Sequence, residues 1–123
     1  MKGKVVVVAS ALLVAMTGSA LAGYDSNRTT TGGVEVKGTL DFDGSTARVK
    51  THTVDRTNKV EYLYAEVAIR DASGNAIAED WNSDSDDDYV TRSVTADGGI
   101  YATGKHEVAN NGDTDIFYTT TTD

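Results

Sequence analysis

From Gly33 onwards apolar side chains recur at every second position, and no stretch beyond residue 22 carries the 3.6-residue period of a helix. Successive side chains of a strand point to opposite faces, so this spacing lays one face on a core and leaves the other to water. Val34, Val36, Leu40 and Phe42 alternate with Glu35, Lys37, Thr39 and Asp41. Thr46–Val54 repeats the pattern, with Ala47, Val49, Thr51 and Thr53 on one face and Arg48, Lys50 and His52 on the other. Val60–Arg70 is apolar on both faces, which predicts a central strand. Further strands are expected over Ala76–Trp81, Tyr89–Ala96, Ile100–Val108 and Thr114–Thr122.

Polar turn residues separate these runs: Asp43-Gly44, Asp55–Lys59, Asp71–Asn75, Asp97-Gly98-Gly99 and Ala109–Asp113. Glycine supplies the positive φ that tight hairpin turns require. The expectation is an all-β fold, a small antiparallel β-sandwich of about seven short hairpin-connected strands. Its strand order stays open between a meander and a Greek key. A single domain over residues 34–123 follows from the length, and the polar segment 23–33, without periodicity, reads as a flexible leader.

Residues 1–22 have the order of a cleaved signal peptide. Lys2 and Lys4 precede an apolar run from Val5 to Met16, and Ala20-Leu21-Ala22 ends the segment with the small residues a signal peptidase reads. The run is shorter than the ~20 residues of a membrane-spanning helix. A secreted chain, extracellular or periplasmic, with no membrane span after cleavage is therefore expected, beginning at Gly23. Cleavage removes two of the 11 basic residues, leaving nine against 19 acidic ones, a net charge of −10. Such a chain is repelled by nucleic acids, and its Lys and Arg residues are scattered singly along the sequence. The absence of Cys removes disulfides, thiolate metal sites and thiol catalysis.

The one dense charge cluster is Glu79–Asp88. Asp80, Asn82, Asp84, Asp86 and Asp88 fall at alternate positions, as in the front half of a calcium loop, and hard Ca²⁺ takes oxygen ligands of this kind. Ser85 stands where such a loop needs Gly, and Thr91 where it needs a bidentate Glu. The other reading is a solvated acidic hairpin tip. His52 and His106 read as surface residues, and no Ser/His/Asp grouping in a nucleophile context occurs. No cofactor is expected apart from this calcium option.

Tyr62, Tyr64, Trp81, Tyr89 and Tyr101 form a candidate binding face, because aromatic rows on a sheet give a protein or glycan large contact area at low entropic cost. The leading expectation is thus a non-enzymatic exported sandwich that acts by contact. A calcium-dependent module using the Asp80–Asp88 loop and a small secreted hydrolase are the alternatives. Self-association is also expected through the C-terminal strand, whose stretch from Ile116 to Thr122 is uncharged and β-prone.

Overall fold

The computed structural model describes residues 23–123. The expected signal peptide lies outside them. The described chain is all-β, with eight strands: β1 (Tyr24–Thr31), β2 (Val34–Phe42), β3 (Thr46–Thr53), β4 (Val60–Arg70), β5 (Ala76–Asp87), β6 (Tyr89–Thr95), β7 (Tyr101–Asn110) and β8 (Asp113–Thr122). They pair antiparallel in two four-stranded sheets, ordered β1-β2-β3-β6 and β5-β4-β7-β8. One apolar core between the sheets makes the arrangement sandwich-like. Among the described residues no helix is long and apolar enough to cross a membrane.

The period-two pattern is carried directly into the packing. Val36, Leu40, Phe42, Ala47 and Val49 of one sheet meet Leu63, Ala65, Val67, Ile69, Ala102 and Val108 of the other in a single buried cluster. β4 sits between β5 and β7, as its two apolar faces predicted. The chain changes sheet after β3, after β5 and after β6, so β6 returns beside β3 and β7 beside β4. These non-consecutive pairings rule out a simple meander. Asn111 and Gly112, with φ of 50° and 85°, form the tight β7–β8 turn.

Two sequence expectations are corrected here. Residues 23–33, expected as a flexible leader, contain strand β1, which pairs with β2 along its whole length. Its low apolar content hid it, because its inward side chains satisfy backbone groups instead of filling a core. The acidic segment Asn82–Asp88, expected as a loop, belongs mostly to β5, whose 12 residues pair with β4 as far as Asp87. β5 is an edge strand, and alternate amides of an edge face away from the sheet. There the Oδ1 atoms of Asp80, Asn82 and Asp84 accept the amides of Trp81, Ser83 and Ser85 at 2.9, 3.0 and 2.9 Å. The aspartates that weaken strand propensity thus serve this strand locally.

Candidate functional site

The outer face of the β5-β4-β7-β8 sheet is built from the residues that alternate with the core. Leu63 and Ala65 point inward at 0% exposure, so Tyr62, Tyr64 and Glu66 point out. Antiparallel register sets Trp81 of β5 opposite Glu66, and Lys105 of β7 opposite Glu66 on the other side. Tyr118 of β8 follows opposite Lys105, which completes a row of Trp81, Glu66, Lys105 and Tyr118 across four strands. Trp81 stacks on the diagonal neighbour Tyr64, with ring centroids 5.7 Å apart and planes at 26°. The indole remains 55% exposed. The Tyr64 hydroxyl donates to Glu66 Oε1 at 2.5 Å. Partial burial first, and the Glu66 carboxylate second, push the Tyr64 phenol above its ordinary pKa, so it stays a neutral donor.

Four of the five aromatic residues singled out from sequence share this face: Tyr62, Tyr64, Trp81 and Tyr101, the last opposite Arg70. Tyr89 does not. It lies on β6, opposite His52, on the outer face of the other sheet, with Lys50 Nζ 5.4 Å and Arg56 Cζ 5.0 Å from its ring centroid. Sequence proximity to Trp81 concealed this, because the chain changes sheet at Asp88. Ile116 and Tyr118 of β8, not anticipated, belong to the aromatic face, and Ile116 is 49% exposed.

The five calcium candidates do not converge. Asp80, Asn82 and Asp84 stand along one face of an extended strand, where alternate residues are roughly 6.6 Å apart. Asp86 has a positive φ of 52°, and Asp88, in the link to β6, pairs with Arg56 at 2.5 Å. No group of three or more His, Cys, Asp or Glu side chains that could hold a metal occurs among the described residues.

His106, expected at the surface, is fully buried. Its parity with Ala102 and Val108 on β7 was the sequence signal for an inward position. Nδ1 lies 2.8 Å from Thr51 Oγ1 and Nε2 2.9 Å from Thr119 Oγ1, while the ring stacks on Phe117 at 4.9 Å. Thr51 Oγ1 donates its single proton to Tyr64 O at 2.9 Å, so it accepts from His106, which places the imidazole proton on Nδ1. Thr119 then donates to Nε2. Burial first, and nearby His52 second, lower the pKa of His106 to about 3. The neutral ring is a bridge between the sheets. Glycines make room for it: a Cβ on Gly38 would lie 2.5 Å from His106 Nδ1, and one on Gly104 would collide with Thr119 Oγ1.

β8 lies at a sheet edge, as self-association through it requires. Side chains and the start of β1 nevertheless occupy that edge. Asp25 Oδ2 accepts the Thr120 amide at 2.9 Å, Asn27 Nδ2 donates to Tyr118 O at 3.3 Å, and Gly23 N donates to Thr122 O at 2.5 Å. Thr119 itself is buried against His106. The uncharged C-terminal stretch thus lies at an edge, part of which forms a seam with Gly23, Asp25 and Asn27.

Comparison with protein-family models, curated proteins and solved structures yields no match.

Proposed function

We propose that this chain is an exported, non-enzymatic β-sandwich that acts by contact, binding a glycan on the outer face of the β5-β4-β7-β8 sheet. The observation that carries the reading is Trp81, held by stacking on Tyr64 yet 55% exposed, in one row with Glu66 and Lys105. The apolar C–H face of a pyranose stacks on an indole, and its hydroxyls both donate and accept. A carboxylate and an ammonium beside the ring meet those two needs, whereas a purely apolar platform favours a protein. Strands about 4.8 Å apart extend the row across several sugar units.

Trp81 is the single tryptophan, so its fluorescence reports this face alone. Titration with a panel of neutral oligosaccharides is expected to shift or quench the emission saturably. Trp81→Ala should abolish binding, followed by calorimetry, and leave the melting temperature nearly unchanged. No saturable response across the panel, or binding that survives Trp81→Ala, refutes the glycan reading. Capture of a protein on the same face would leave contact as the function and replace the partner.

A further inference from the structure

The opposite face of the molecule has a different chemistry. On the β1-β2-β3-β6 sheet, Arg28 pairs across strands with Lys37, Lys37 with His52, and His52 with Tyr89. Lys50 stands in the next row, opposite Thr39 and Thr91, and Arg48 in the one beyond, opposite Asp41. Arg56 reaches over Tyr89 from the β3–β4 connection. Five of the nine basic residues after residue 22 thus gather on one face of a chain that is otherwise strongly acidic. Glu35 and Asp88 answer Arg28 and Arg56, and Asp41 stands opposite Arg48, which leaves Lys37 and Lys50 as the like charges on neighbouring strands that repel.

The three ion pairs among the described residues join Arg28 to Glu35, Arg56 to Asp88 and Arg92 to Asp80. None uses Lys37 or Lys50. Nor does any use Glu79, Asp84 or Asp86, which are exposed along the β5 edge. The chain therefore carries a pair of lysines on one face and an acidic edge that do not neutralise one another within one molecule. Partial burial lowers the His52 pKa, and the positive fields of Lys50, Arg56 and Lys37 add to the shift, a second sign that these cations crowd one spot.

We propose that the outer face of the β1-β2-β3-β6 sheet, centred on Lys37 and Lys50, docks the acidic edge strand β5 of a second copy of this chain. Each copy carries both halves, so the contact closes as a reciprocal dimer or continues head to tail. The basic half lies on the sheet that the glycan reading does not use, whereas the acidic half is β5, the strand that also carries Trp81.

Salt sets a signature. At low ionic strength the net negative charge, −8 for the whole chain with its 11 basic and 19 acidic residues, drives copies apart. Near 0.15 M the Debye length is about 8 Å, so distant repulsion is screened while touching charges still attract. In molar salt the attraction is screened as well. Light scattering and sedimentation of the purified protein across a salt series should show association passing through a maximum. The pair Lys37→Glu and Lys50→Glu should weaken it about tenfold or more. Glu79→Lys with Asp84→Lys should do the same, and mixing the two variants should restore association. Lys37→Gln with Lys50→Gln serves as the milder form, with circular dichroism melts confirming that each variant folds. A monomer at every salt concentration, association rising steadily with salt, or a mixture that does not associate would each overturn the proposal.

Discussion

The sandwich has two open sides, where an edge strand of one sheet meets an edge strand of the other, and the chain treats them differently. Both use the same local device. In β1, Asp25 and Asn27 accept the amides of Ser26 and Arg28 at 2.8 and 2.9 Å, as Asp80, Asn82 and Asp84 do along β5. Asn27 and Asn82 each reach across to a carbonyl of the facing strand, Tyr118 O at 3.3 Å and Thr91 O at 3.5 Å. At the β1–β8 side the seam closes: Asp25 is 1% exposed, and Thr119, Thr120 and Thr121 are all buried. Thr31 Oγ1 adds a 2.6 Å bond to Asp115. At the β5–β6 side the groups stay wet, and Arg92 spans the gap to Asp80 at 3.5 Å and to Trp81 O at 3.2 Å. A carboxylate removed from water in the first seam is a structural element. The same carboxylate in water in the second is a guard against stray strand pairing and a charge available to a partner.

The difference predicts where the molecule is fragile. The largest effect is acid on the closed half. His106 has a folded pKa of about 3 against 6.5 unfolded, so the unfolded chain binds the extra proton between those values. Its contribution is intact above about pH 6.5 and is lost on acidification by about 1.4 kcal/mol per pH unit. His52, also lowered, acts in the same direction. Urea midpoints from pH 7 to 4 should fall steeply, and His106→Gln should flatten that fall.

Next comes Gly38→Ala, whose methyl group would press on the His106 ring in a space with no slack. A cost of about 3 kcal/mol is expected by chemical denaturation. Asp25→Ala should cost about 2 kcal/mol, because the Thr120 amide loses its acceptor in a buried seam. The matched change on the open side, Asp80→Ala, breaks an exposed ion pair and an exposed bond from the Trp81 amide that water can replace, and should fall within about 0.5 kcal/mol. Equal losses for Asp25→Ala and Asp80→Ala would erase the distinction between the seams.

Much of the fold was legible because alternation is written residue by residue. Leu40, Val49, Leu63 and Val67 announce their inward side through their neighbours alone. Tyr62 and Tyr64 fall on one face by the same rule, and Trp81 joins them by register with β4. β1 was missed because Asp25, Asn27 and Thr31 face inward without being apolar. The end of β5 was missed because its aspartates bond to their own backbone, a service that composition does not show. His106 was misplaced although its parity pointed inward, since two threonine hydroxyls and two glycines from other strands are needed to receive it.

The sequence by itself determined that this chain forms antiparallel strands, where most of them turn, and which side chains each strand turns to its core. Those properties depend on neighbours one or two residues away. Only the tertiary structure decided that β6 returns to β3 and β7 to β4, and with them the fate of each edge. That order separates Tyr89 from Trp81 and gathers Lys37, Lys50 and Arg56, which the sequence scatters. It also closes β8 against β1 and leaves β5 exposed. The physical reason is that strand order is settled by burying both sheets' apolar faces at once, a condition on the whole chain that no local window contains.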